Sequence, residues 1–253
     1  MQHLILAHAL DGGAHAVADA LAPRLGKRLA VLRPECLGQA QWSQQVDGRG
    51  RARTRICWHG GHSLESGQIG FVWNRIRMLP QAGFRASTAQ DQDYAGAELQ
   101  ALVASWLAGL GERVEPPMRR HATVTAVPHH LHWAAAASRC GFTLVTRPSA
   151  PVSFSVLSTP MELCGAATTT TATVTATWPP ALACACQALA GQLGFSLLEL
   201  GFSGTLEAPL LCHVNTHPAL ASEGEVQAVA RWLAGRAEGL AKPEPRVLGE
   251  ALT

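Results

Sequence analysis

Apolar residues along the chain recur at two spacings, near 3.6 and near 2, and the changes from one to the other mark out the elements. Residues 3–10 are a short apolar run that Asp11-Gly12-Gly13 breaks, after which Ala16, Val17, Ala20, Leu21 and Leu25 recur at helical spacing. Gly26 closes that helix as a glycine just past a helix end does, and residues 28–32 read as a second strand, so the opening reads as a βαβ unit on a parallel sheet. Residues 69–73 give a further strand. Leu99, Leu102, Val103, Trp106, Leu107 and Leu110 share one face of a helix over 94–110 that Gly111 stops. Pro116-Pro117 and the following Arg119-Arg120-His121 form an irregular connector, and the domain boundary is placed there: 1–117 and 118–253.

The second half begins with a helix over 130–139 and a strand over 141–146. Residues 152–157 and the threonine-rich stretch 166–178 are rich in β-branched residues and read as antiparallel strands around Met161-Glu162. Pro179-Pro180 opens a helix reaching residue 193. Strands over 195–200 and 210–214 follow, joined at Gly204, and a last amphipathic helix over 225–240 is built on Val226, Val229, Trp232 and Leu233. The polar, arginine-studded stretch 44–55 reads as a surface loop leading into a short strand at 56–58. No internal repeat is found, and the alternation of strand and helix gives an α/β class.

Composition narrows the partners. Hydrophobic residues make up 47% of the 253 and charged residues only 15%, which excludes a disordered tail. No apolar stretch approaches the ~18 residues a membrane span needs, and Met1-Gln2-His3 lacks a basic signal region, so a cytoplasmic location with no membrane partner is expected. The net charge of +2 gives no reason to expect nucleic acid. Its distribution is uneven: Lys27 and Lys242 are the only lysines among 20 basic residues, and no aspartate follows Asp93. Seven cysteines without CxxC or CxxxxC spacing read as reduced, mostly buried thiols.

Several groups could carry chemistry. Asn74-Arg75-Ile76-Arg77 lies just past the strand at 69–73, at the carboxyl end where open α/β sheets place ligands. The Gly12-Gly13 turn before a helix is either a plain turn or a phosphate site using free amides. Arg49, Arg51, Arg53 and Arg55 alternate along an extended segment and either bind phosphate or are solvated. His129, His130 and His132 with His121 form one imidazole group, and Cys212, His213 and His217 another; each is either a metal candidate or a set of solvated or hydrogen-bonded side chains. His59-Gly60-Gly61-His62 reads as a flexible turn or a close ligand approach. No GxSxG or HExxH frames a nucleophile or zinc site.

Leu193-Gly194-Phe195-Ser196-Leu197-Leu198-Glu199-Leu200, followed by Leu211-Cys212-His213-Val214-Asn215-Thr216-His217-Pro218-Ala219-Leu220, resembles the C-terminal signature of ATP-grasp ligases. There a helix leads through Leu-Gly into a strand bearing an acidic residue, and the next strand ends in Glu-Val-Asn-x-x-Pro. Upstream, Gly70-Phe71-Val72-Trp73-Asn74-Arg75, the helix start near Tyr94, the Pro-Pro turn, and Leu131-His132-Trp133-Ala134 with Cys140-Gly141-Phe142-Thr143 are similar to the sequence before the ATP domain in members that join amino acids or cyclise ribosomal peptides. The resemblance covers most of the chain in outline, and the Asn215 region is its most specific part. It implies an N-terminal parallel-sheet, pre-ATP-grasp-like half followed by a reduced, ATP-grasp-like α+β half.

Departures from the family are as informative. Thr146-Arg147-Pro148 runs almost directly into Val152, where the family has a lysine-bearing strand, a glycine-rich loop over the phosphates and an acidic hinge. Lys27 and Lys242 match no phosphate lysine. The resemblance implies acidic, acidic and Asn ligands for magnesium; at those places stand Glu199, His213 and Asn215, and imidazole is a softer donor than magnesium prefers. The expected function is therefore a binding or partner component, recognising a peptide, a metabolite or a protein in a biosynthetic or peptide-modification pathway and forming a homo-oligomer through the charge-free threonine-rich strands. Two alternatives stay open. One is an active ATP-dependent carboxylate–amine ligase using ATP and magnesium, with Arg75, Arg77 or Arg147 in place of lysine. The other is a metal-dependent enzyme using the histidines.

Overall fold

The computed structural model describes residues 1–48, 52–79, 88–118, 130–145, 152–164 and 178–239. In chain order the first part comprises β1 (Gln2–Leu6), α1 (Gly12–Leu25), β2 (Leu29–Leu32), α2 (Pro34–Gly38), β3 (Gln41–Val46), β4 (Ala52–Cys57), β5 (Ser63–Glu65), β6 (Ile69–Asn74), α3 (Ala89–Leu110) and β7 (Val114–Glu115). The remainder comprises α4 (His130–Arg139), β8 (Thr143–Leu144), β9 (Phe154–Ser158), β10 (Leu163–Cys164), α5 (Pro180–Leu193), β11 (Leu198–Gly204), β12 (Pro209–Asn215) and α6 (Glu223–Ala237).

Alternation in β1 decides how the first layers stack. Its strands run in the order β2-β1-β6-β7, all parallel. Leu4 and Leu6 face a core shared with Val72, α3 and the antiparallel sheet β3-β4-β5. Ile5 points the other way, to a core with Phe71, Trp73 and α1. The side chain of Asp11 caps α1 by accepting from the Ala14 amide at 3.0 Å, so the Gly-Gly turn opens a helix whose N-terminus is already met by a protein carboxylate.

Where the stretch 44–55 is described, most of it is strand, not loop. β3 and β4 pair as an antiparallel hairpin, with Trp42 edge-on to Trp106 of α3 at 5.6 Å. In β4 Arg53 and Arg55 point to solvent while Thr54 and Ile56 are buried, so the arginine alternation is the outer face of a strand. Arg49 and Arg51 lie outside the described residues. Smaller differences are that β1 ends at Leu6, α3 starts five residues before Tyr94, and the strand placed at 141–146 is only Thr143–Leu144. Of the seven cysteines, all free, only Cys186 is buried and Cys184 is exposed, because several stand at strand edges and helix rims.

The second sheet has the order β10-β9-β11-β12-β8 and is antiparallel except at the β12–β8 pair. Leu198, Leu200 and Phe202 pack with Phe154 and Val156 under α5 and α4. α6 opens with a capping box, Ser222 with Glu225, and its Val226, Val229 and Trp232 join α1 over the first sheet, together with Leu157 of the second sheet and Leu197 just before β11. The C-terminal helix thus completes the N-terminal layer. Glu115 fastens the same junction: its Oε1 accepts from the Ser196 amide at 3.1 Å, and its Oε2 lies 3.6 Å from Arg236 of α6. Burial pushes its carboxyl up to about 7, against the pull of the Ser196 and Leu197 amides and Arg236. The threonine-rich stretch 166–177, the candidate association edge, lies outside the described residues.

Candidate ligand site at the carboxyl ends of the first sheet

β1 leads into α1 and β6 leads on to α3, and the two helices cover opposite faces of the sheet. Their departure in opposite directions opens a crevice at the carboxyl ends of β1 and β6, the switch point of an α/β sheet. Asn74 and Arg75 stand there. Asn74 is fully buried, and its Oδ1 accepts from the Ile76 amide at 3.1 Å, which turns the chain out of the strand. The Arg75 amide donates to the Leu6 carbonyl at 2.8 Å.

Although Arg75 was a phosphate candidate, its guanidinium is already occupied. It meets the Asp11 carboxylate through two hydrogen bonds of 2.7 and 3.0 Å, donates to the Pro218 carbonyl at 3.0 Å, and lies 5.0 Å over the Trp73 ring. Burial alone would raise the Asp11 carboxyl; the Arg75 bonds and charge, with the Ala14 amide, outweigh it and hold it below the usual carboxylate range. Arg77 is different: it is exposed and makes no ion pair among the described residues.

The loop after β12 closes the crevice from above. Gly13 permits this seating, since a Cβ there would come 2.9 Å from the Ala219 carbonyl oxygen and 3.1 Å from Leu220 Cβ. The loop brings in His217, which is 5% exposed, with Nδ1 3.0 Å from the Thr216 hydroxyl and Nε2 buried without a hydrogen-bond partner among the described residues. Burial first, then the charges of Arg77 and Arg75, push its pKa down to about 4 against the opposing pull of Asp11, so the ring is neutral at pH 7. His8, Asp11, Arg75, Arg77, Met78 and His217 enclose about 290 Å³.

Glu199 and Asn215 face each other across β11 and β12, and His213 pairs with Gly201 two residues along, so the three metal candidates share one face of the sheet. Their groups are engaged with one another and with the backbone. The Asn215 carboxamide nitrogen donates to Glu199 Oε2 and to the His217 carbonyl, both at 2.9 Å, and its oxygen accepts from the His217 amide at 2.9 Å. Glu199 Oε2 also accepts from the Ala219 amide at 3.2 Å. His213 is exposed. Arg147, His121 and His129 lie outside the described residues, His130 and His132 are exposed, and the turn at 59–62 is a tight hairpin closed by Trp58 and His62. Among the described residues no three His, Cys, Asp or Glu side chains converge as metal ligands. Lys27 sits at the amino-terminal edge of the first sheet, its carbonyl 3.4 Å from the Gln2 side chain, at the opposite end from the crevice.

Sequence reasoning missed His217 as a buried ring lining the crevice and Glu115 as a fastening point. A carboxylate immediately before Pro-Pro was the only local trace of Glu115. His217 was visible only as part of a supposed metal group.

No family model and no curated protein matches the chain. Solved structures do. The macrocyclase MdnC from Microcystis aeruginosa MRC, bound with precursor peptide MdnA, is 12% identical, with 91% of this chain and 98% of that one covered and a TM-score of 0.69. A Chryseobacterium gregarium RiPP-associated ATP-grasp ligase, in complex with ADP and a leader and core peptide, is 10% identical with 96% and 98% covered and a TM-score of 0.68. A RimK domain ATP-grasp protein from Sphaerobacter thermophilus is more distant, at 12% identity and a TM-score of 0.51 over 95% and 99% of the chains. The chain has the fold of the ATP-grasp ligases. Among the described residues, no helix is long and apolar enough to cross a membrane.

Proposed function

We propose that this ATP-grasp fold acts as the peptide-recognition component of a peptide-modification pathway and does not turn over ATP. The observation that carries this is the Asn215 carboxamide: it grips both backbone groups of His217 and ties down Glu199, leaving a set that fits magnesium poorly. Magnesium favours hard oxygen donors, and here one carboxylate oxygen and the amide oxygen are engaged, while the third position is imidazole. Two further facts agree with the reading: only residues 146–151 stand between the described ends at Val145 and Val152, and the sole described lysine is at the wrong end of the first sheet. A peptide is the favoured ligand because structures of this fold hold precursor peptides. Calorimetry with magnesium and ATP should give no saturable heat. Saturable, magnesium-dependent binding that Glu199→Gln abolishes would overturn the proposal.

A second reading, an active carboxylate–amine ligase, draws on the cross-strand pairing of Glu199 with Asn215 and on the exposed guanidinium of Arg77, which makes no ion pair among the described residues, since arginine binds phosphate well. ADP release on mixing with amino acids or peptides would favour it. Self-association belongs to the binding reading, and a monomer at micromolar concentration in light scattering would remove it.

A further inference from the structure

All-parallel sheets are ordinarily covered on both faces, because their strands carry apolar side chains on both. The first sheet departs from this at its β2 edge. α1 packs over one face. On the other face α3 packs with Leu4, Leu6, Val72 and Val114 of β1, β6 and β7, while Ala30 and Leu32 of the edge strand β2 remain half-buried. The helix that follows β2 is too short to fold back over them, since α2 has five residues and spans little more than one turn.

The result is a cleft of about 850 Å³ between the first sheet and the β4–β5 hairpin. Leu4, Ala30 and Leu32 form one wall, Trp58 and Leu64 the other, and Cys36 closes one end. The Trp58 indole N–H donates to the Cys36 carbonyl at 2.9 Å, which ties the second wall to α2 and holds the cleft to its width. The volume is that of small-molecule sites, about 300–1,000 Å³, and so is the lining, apolar with a few polar groups at the rim.

Charge decides the class of ligand. Arg28, just before β2, is the only arginine or lysine that lines the cleft, and no aspartate or glutamate lines it, among the described residues. Its guanidinium donates to the Arg24 carbonyl at a long 3.4 Å and makes no ion pair among the described residues. A neutral ligand would leave that charge unused and a cation would be repelled. A polyphosphate would set several charges against one guanidinium and bury polar oxygens against leucine. We propose that the cleft binds a single-chain organic monoanion, its acid group paired with Arg28 and its apolar body laid along Leu4, Ala30 and Leu32 beneath Trp58 and Leu64. The site lies at the amino ends of the strands and on the α3 face, away from the crevice, and does not rest on the peptide-recognition reading.

The test titrates the full chain with 1-anilinonaphthalene-8-sulfonate, an aromatic body bearing one sulfonate, and then displaces the fluorescent dye with decanoate or with decanol. One saturable site is expected, and both competitors should empty it. Arg28→Gln, at an exposed position, should weaken decanoate about threefold to tenfold, the loss of one partly exposed charge-assisted pair, and leave decanol unchanged. Added salt should likewise weaken decanoate alone. Ala30→Phe should abolish dye binding by filling the cleft; if circular dichroism shows that this variant does not fold, Ser63→Trp on the exposed rim fills it from the opposite wall. Equal effects of Arg28→Gln on decanoate and decanol, or dye binding that survives both filling substitutions, would overturn the proposal. So would dye binding that falls as protein concentration rises, the sign of a second copy over this face, or sedimentation with phosphatidylglycerol vesicles that decanoate does not reverse, the sign of a lipid surface. Magnesium-dependent ATP binding would overturn the functional reading and leave this site standing.

Discussion

Asn215 and His217 are two residues apart in one turn, yet their polar atoms have opposite fates. Both hydrogen-bonding atoms of the Asn215 carboxamide are satisfied inside the protein, whereas the Nε2 of the more deeply buried His217 is not. The same contrast separates Arg75 from Arg77: one is neutralised by Asp11, the other lines the cavity with no ion pair among the described residues. Residue type alone therefore does not identify a site. A functional surface is where the protein leaves donors and charge uncommitted after its own structure has been served.

The largest test of the satisfied set is Asp11→Ala. It would leave the Arg75 guanidinium, 7% exposed, without its counter-ion and remove the cap of α1, and urea unfolding should show a loss of about 3–5 kcal/mol. A loss under about 1 kcal/mol would mean that Arg75 is as free as Arg77 and would break the comparison. The pH dependence comes next. Glu115 has its folded pKa raised to about 7, so its stabilising contribution is full below its ordinary 4.5 and is lost as pH rises through about 7. His217 has its pKa lowered to about 4, so its contribution is full above 6.5 and is lost as pH falls through about 4. Each effect amounts to about 3 kcal/mol, and between pH 4.5 and 6.5 they oppose one another. The unfolding free energy should therefore be nearly flat in that window. Glu115→Gln should make it fall toward acid, and His217→Gln should make it rise; a wild-type curve as steep as either variant would refute the assignment. Asn215→Ala removes three hydrogen bonds at the turn and should cost about 2–3 kcal/mol with or without magnesium. Destabilisation seen only in the presence of magnesium would restore Asn215 to the role of a metal ligand.

Much of the frame was readable because burial imposes period. α4 and α5 begin and end within a residue of where apolar spacing and Pro179-Pro180 place them, and β6 follows from Ile69, Phe71, Val72 and Trp73. The β3–β4 hairpin was not, since β3 has no buried residue and β4 shows solvent Arg53 and Arg55 between Ala52, Thr54 and Ile56. Local composition there is that of a loop, and only pairing between strands identifies the hairpin. For the site, the position of Asn74 through Arg77 at a strand's carboxyl end was legible, and the ATP-grasp resemblance marked Glu199, His213 and Asn215. What sequence did not hold was who partners whom: Arg75 finds Asp11 64 residues away and Pro218 143 residues away. Whether an arginine is free depends on such partners, which no spacing rule supplies.

The smallest expected stability effect is the sharpest test of the contrast. Arg77→Gln removes a charge that makes no ion pair among the described residues and leaves an exposed side chain of similar length, so stability should change by no more than about 0.5 kcal/mol. Removing Arg77 also takes away the larger of the two arginine charges that hold His217 low, so the His217 pKa should rise while burial keeps it below its ordinary 6.5. Titration of the labelled ring by nuclear magnetic resonance reads this directly. An unchanged His217 pKa would place Arg77 away from the ring, whereas a large loss of stability would show that its guanidinium serves the fold. A rise in pKa with stability intact would confirm an uncommitted cation beside an uncommitted nitrogen, two residues along the chain from an arginine committed entirely to the fold.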